Sequence, residues 1–198
     1  MYAKIVPLAL CVFLSCCVQS NRINWDEIRN AHVEIPMDSL QLLTPRKLIS
    51  DNLIHRDPDL TFLIYVDSSS CSSCELKRLS IWHSIIKKAK RYDTKVNYLF
   101  IFCPNANEVN DFIENYYNNA IGLNIYIDSS KILERRNLLL HNAHFHTLLL
   151  DKEYNVVKIG NPARDAYAEK SFYKYLSLET RGDTLLRACR PTFPSYKG

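Results

Sequence analysis

The stretch TFLIYVDSSSCSSCEL, residues 61–76, decides how this chain is read. TFLIYV is a short run of aromatic, aliphatic and β-branched residues without polar alternation, the pattern of a strand buried on both faces. The polar turn Asp67-Ser68-Ser69-Ser70 ends it, and Cys71 and Cys74 follow with two serines between them. Beyond them Leu76, Leu79, Trp82, Ile86 and Ala89 recur at spacings of three and four, with Lys77, Arg78, Lys87, Lys88, Lys90 and Arg91 in the gaps. That spacing predicts an amphipathic helix with Trp82 on its core face. A buried strand therefore runs into a helix, and the two cysteines sit at the junction.

Working outward, the same alternation of element types continues. VNYLFIFC (96–103) reads as a second buried strand, residues 107–117 as a helix capped by Asn105 or Asn107, and LNIYID (123–128) as a third strand. SKILERRNLLL (130–140) predicts a short helix. HTLLLD (146–151) and NVVKIG (155–160) predict a hairpin turning at Lys152-Glu153-Tyr154, and 163–178 a last helix. On the amino-terminal side, AHVEIPM (31–37) has the partial alternation of an edge strand, and 40–54 reads as a loop with a short helix from near Pro45. Strands separated by helices require parallel pairing with right-handed crossovers, and the closing hairpin adds antiparallel strands. The expected fold is α/β: a central mixed sheet with helices on both faces.

With 198 residues, 47% of them apolar, the chain can bury one sizeable core. Its net charge of +4 is spread along the sequence, and it has neither a zinc-finger pattern nor an aromatic RNA-binding signature, so nucleic acid is not an expected partner. The first residues are laid out differently. MYAK carries one positive charge and IVPLALCVFLS follows, the plan of a secretory signal peptide and too short to span a bilayer. The run ends Val12-Phe13-Leu14-Ser15-Cys16, which resembles the bacterial lipobox. That resemblance implies cleavage before Cys16, with Cys17 the second choice, and acylation of Cys16. An ordinary cleaved signal with incidental cysteines is the alternative. The expected division is signal peptide 1–15, tether and extension 16–58, main domain 59–180 and tail 181–198. The expected location is a bacterial envelope membrane, facing the periplasm.

Disulfides persist in such a compartment. Of seven cysteines, Cys11 leaves with the signal and Cys16 takes lipid, and the odd remainder of Cys17, Cys71, Cys74, Cys103 and Cys189 is not a paired framework. Cys103 closes an apolar run and reads as a buried, inert thiol. Cys71, at the first turn of a helix, is placed where unpartnered N–H groups stabilise a thiolate, and Cys74 is one turn away.

This strand, pair and helix, together with HTLLLDKEYNVVKIG, resemble the thioredoxin-like superfamily over residues 60–178, and most closely its membrane-tethered envelope branch of thiol–disulfide oxidoreductases. The resemblance implies Cys71 as attacking thiol, Cys74 as a shielded resolving thiol and Asp67 as a buried carboxylate that takes the proton from Cys74. It implies no cofactor, and envelope proteins with disulfides or thiols as partners. Two positions depart from the family pattern. Ser70 stands where an aromatic residue is usual, and Phe145 or a neighbour stands where a cis-proline precedes the fourth strand. Two other readings accompany this one. The fold with an idle disulfide would be a binding module. Alternatively, Cys71 and Cys74 with His144 or His146 from the cluster at 141–146 would suit copper(I) or zinc, the two histidines pointing to one side of a strand.

Overall fold

In a computed structural model of the chain, residue 28 and residues 31–46, 55–119 and 121–180 are described. Cys16, Cys17, Cys189, the signal segment, residues 47–54 and the tail 181–198 lie outside them. The strands are β1 (Gln41–Leu43), β2 (Leu60–Val66), β3 (Val96–Phe102), β4 (Ile125–Ile127), β5 (Thr147–Asp151) and β6 (Val156–Ile159). The helices are α1 (Ser72–Arg78), α2 (Ser80–Ala89), α3 (Val109–Asn118), α4 (Ile132–Arg136) and α5 (Ala166–Thr180).

The strands form one sheet in the order β1-β4-β3-β2-β5-β6. β2 pairs parallel with β3, and β3 with β4, whereas β5 runs antiparallel to β2 and β6 to β5. This is the α/β fold with a central mixed sheet expected from the alternation of elements, and the thioredoxin-like class that the resemblance implied. β2 and β3 are buried at every position, which is why neither shows a polar face in sequence. Residues one apart in β2 serve two different cores. Phe62, Ile64 and Val66 pack under α1, α2, α3 and α5 with Trp82, Phe112, Tyr116 and Phe172. Leu63 and Tyr65 face Cys103, Leu133 of α4, Leu140 and Phe145 on the other side.

Four local expectations are corrected. The amphipathic run after the cysteines is two helices, because at Leu79 the backbone bonds to the residue three back, as does that of Trp82, and the four-residue ladder is interrupted. α3 starts at Val109 with Glu108 as its cap residue, making no side-chain cap bond, while Asn105 spends its side-chain amide on Glu108. Residues 130–140 divide into α4 and a 3-10 turn, Leu138–His141. Finally, 31–37 is not an edge strand. It meets the sheet through a bridge between His32 and Asn155, and the edge strand is β1, paired antiparallel with β4, in a stretch whose apolar spacing had suggested a loop. Segment 31–46 does more than tether. Val33 is wholly buried, its N–H donates to the Tyr154 carbonyl, and Asn137 bonds Glu34 through both its amide nitrogen and its oxygen.

Candidate active site at the carboxyl edge of the sheet

Because β2, β3 and β4 are parallel, their carboxyl ends share one edge of the sheet, and the reversed β5 brings its amino end there as well. That edge gathers the loop 67–71, Cys103, Asp128 to Lys131, His146 and the turn after β6. The N–H of Cys103 donates to the Val66 carbonyl, that of Tyr65 to the His146 carbonyl, and that of Gly160 to the Thr147 carbonyl.

Cys71 is the N-cap residue of α1, with extended backbone, and it is disulfide-bonded to Cys74 across one turn, the Cα atoms 5.3 Å apart. Its carbonyl accepts from the N–H groups of Cys74 and Glu75, both at 3.0 Å, and its Sγ accepts from the Cys74 N–H at 3.3 Å. A cap position normally filled by a serine or aspartate oxygen is thus filled by sulfur. When the bond is reduced, the same N–H is aimed at a thiolate. Both cysteines are exposed, which corrects the expectation of a shielded Cys74. Ser72 fills the buried place in this first turn, and Cys74 faces outward.

Asp67 holds the loop ahead of the pair. Its carboxylate accepts from the Ser69 hydroxyl at 2.7 Å, from the Ser70 hydroxyl at 2.7 Å and from the Ser70 N–H at 3.1 Å. It is half-buried rather than buried. Desolvation pushes its pKa up, but the hydrogen bonds from Ser70 and Ser69 and the neighbouring His146 outweigh it, and the carboxyl lies below its ordinary value. Those bonds weaken it as a proton acceptor while they fix the turn. Lys131, in left-handed backbone at φ 54, ties this loop to the start of α4 by donating from Nζ to the Ser68 hydroxyl at 2.6 Å.

Cys103 is fully buried and is a free thiol, as its apolar context implied. Burial pushes its pKa up, with the Tyr65 hydroxyl bond pulling in the opposite direction. Tyr65, raised by desolvation and by the nearby Cys103 and Glu134, donates to the Glu134 carboxylate at 3.2 Å. Trp82 lies in the core, edge-on to Phe62 and Phe100.

The histidines are not on a strand. His144 lies within a 3-10 turn, Ala143–Phe145, and His146 caps it, so the two-residue spacing does not set both on one side. His146 is half-buried against the Tyr65 ring, and its Nε2–H donates to the Leu140 carbonyl at 2.9 Å. His144 and His141 are exposed. Among the described residues, no three histidine, cysteine or acidic side chains are grouped to hold a metal ion.

Sequence reasoning passed over the charges bordering the pair. Glu75, next to Cys74, receives Arg78 at 2.6 Å and Arg164 at 2.5 Å on the same oxygen. The first pairing was available from the three-residue spacing on a helix. The second had no local signal, since Arg164 arrives from the far end of the chain.

No family model matches the chain, and no curated protein matches it. Among solved structures, a thioredoxin-like protein determined in solution in its oxidised form is 17% identical, with 76% of this chain and 97% of that one covered and a TM-score of 0.45. A thioredoxin-like protein from Bacteroides caccae is also 17% identical over 77% of this chain, at a TM-score of 0.42, and this chain spans half of its length, 50%. ScoI of Arabidopsis thaliana, solved with copper bound, is 14% identical over 62% of this chain and 85% of its own, at a TM-score of 0.40.

Proposed function

We propose that the chain is a lipid-anchored thiol–disulfide oxidoreductase of a bacterial envelope, exchanging Cys71–Cys74 with the disulfides or thiols of other envelope proteins. The observation that carries this reading is the bonded pair itself, one turn long, at an exposed helix start on the edge where the parallel strands end. As a staple the bond does little. Closing so short a loop stabilises a fold by about 2 kcal/mol in the chain-entropy account, and two cores already hold this molecule together. As a redox couple it is well placed, since both cysteines are exposed.

In the reducing direction the Cys71 thiolate attacks a partner disulfide, forming a mixed disulfide and expelling one partner thiolate. The Cys74 thiolate then attacks Cys71 Sγ, which re-forms the internal bond and expels the second partner thiolate. Two thiols of this chain are oxidised and one partner disulfide is reduced, the two released thiolates taking protons from water. The oxidising direction is the reverse. Cys71 is the attacking group because it alone caps the helix.

Expression of Cys74→Ala in the native host tests this: it should accumulate mixed disulfides that dissolve on reduction, several times more than Cys71→Ala does. Because Cys74 is also exposed, Cys71→Ala should give a weak background rather than none. Empty non-reducing gels for both variants, with a wild-type pair that stays oxidised throughout, would sink the exchange reading. The anchor rests on the VFLSC run. Mass spectrometry should find the mature chain beginning at an acylated Cys16, and Cys16→Ser should move the protein to the soluble fraction. An unmodified amino terminus would remove the anchor.

A further inference from the structure

Glu75 places a carboxylate on the same helix as the cysteine pair, directly after Cys74. Its N–H donates to the Cys71 carbonyl, so its side chain starts one turn along from the capping cysteine. Its side chain is 18% exposed, too little for water to screen it fully. Oε1 takes both guanidinium groups, Arg78 from its own helix and Arg164 from the turn between β6 and α5. That turn is firmly built. Gly160 leaves β6 at φ 126, where a side chain would meet the Ala168 Cβ at 3.2 Å, and the Asn161 carbonyl accepts from the N–H groups of both Arg164 and Asp165. The Asn161 side chain accepts from the Ala163 N–H. The other charged or titratable groups on this edge are Asp67 before α1, the buried Cys103 thiol after β3, Asp128, which is taken up by the N–H groups of Ile132 and Leu133, Lys131 at the start of α4, His146 before β5 and Asp165 beside Arg164. Lys131 is engaged with Ser68, and Asp165 with the Tyr167 N–H. With both arginines in place, the group around Glu75 carries a net single positive charge. Without Arg164 it is neutral.

We propose that Arg164 is a positioning residue for the Cys71–Cys74 couple, clamping the Glu75 carboxylate so that the ground beside the pair is positive and the reduced, thiolate-bearing state is favoured. This deepens the redox reading above and rests on it. Stabilising the reduced form makes a pair more oxidising, so the clamp moves the couple toward the oxidising side.

Equilibrating the purified protein with mixtures of reduced and oxidised glutathione, and following iodoacetamide alkylation of the reduced protein against pH, tests the proposal. Arg164→Gln should shift the equilibrium toward the disulfide, and slow alkylation near neutral pH, by about two- to fivefold, the range of a partly exposed ion pair. Arg164→Lys should fall between. The double variant Glu75→Gln/Arg164→Gln restores the single positive charge and should return both readings to wild type. Glu75→Gln alone should move them the opposite way, toward the dithiol, and serves if Arg164→Gln does not fold. A purely structural ion pair predicts lower stability to urea with the glutathione constant and alkylation profile unmoved and no rescue in the double variant. That result would overturn the proposal while leaving the redox reading intact. Failure of the wild-type pair to exchange with glutathione at all would overturn both.

Discussion

Cys71 and Asp128 show how single residues at this edge substitute for backbone partners. At the start of α1 a sulfur caps the helix, and at the start of α4 a fully buried aspartate does so from outside the helix. The carboxylate of Asp128 accepts from the N–H groups of Ile132 and Leu133, both at 2.9 Å, and from the Ser130 hydroxyl at 3.4 Å. The turn it braces carries Lys131, and through Lys131 it reaches Ser68 in the loop ahead of the cysteines. Asp128→Ala leaves two N–H groups without this acceptor and is expected to cost about 1–3 kcal/mol in urea unfolding. It should also loosen loop 67–70, seen as faster amide exchange at Ser70. Loss of stability without that local change would separate the cap from the loop. The cysteine pair and its helix cap were legible in the sequence because both are local. Arg164 and Lys131 were not, because each reaches the site across the tertiary fold.

At the scale of elements, α2 does the most to hold the site's floor. Trp82, Ile85, Ile86 and Ala89 form its buried stripe, and Trp82 packs against Phe62 of β2 and Phe100 of β3. The 3.6-residue period in the sequence found Trp82, Ile86 and Ala89 of this stripe and passed over Ile85. It did not find the interruption at Leu79, since the apolar spacing continues through the joint while the hydrogen-bond ladder does not. Trp82→Ala should cost about 3–5 kcal/mol by chemical denaturation. Because α1 and α2 share the core beneath β2, it should also broaden the resonances of residues 71–78. A variant with wild-type stability would mean that the aromatic cluster repacks without it.

Across the molecule, among the described residues, desolvation pushes up the hydroxyls of four buried tyrosines, Tyr65, Tyr98, Tyr116 and Tyr126, and of the half-buried Tyr173. For a group whose folded pKa is raised, stability is fully present below the unfolded value, about 10 for tyrosine. Above it the unfolded chain loses protons that the folded chain keeps, so stability falls until the folded pKa is reached. The protein should therefore lose stability steeply above about pH 10. Of its twelve tyrosines, these five should ionise only as it unfolds, giving a two-stage rise of tyrosinate absorbance near 295 nm. A single smooth titration of all twelve near pH 10, in protein still folded by circular dichroism, would contradict the burial of these hydroxyls.

By itself the sequence determined the alternation of buried strands and amphipathic helices, the position of the CxxC pair at a strand-to-helix junction and the buried character of Cys103 and Trp82. Each of these depends on neighbours within about two turns or one strand, so periodicity and composition report them directly. Tertiary structure alone decided that segment 31–46 closes the sheet edge through β1, that Cys74 is exposed because Ser72 takes the buried place, and that His144 and His146 do not share a strand face. It also decided that the Glu75 charge is met by Arg164. The physical reason is common to all four. Edge pairing, the burial of one particular position in a turn and a charge held by a distant loop depend on which surfaces the packed sheet brings together, and no local pattern of residues encodes that.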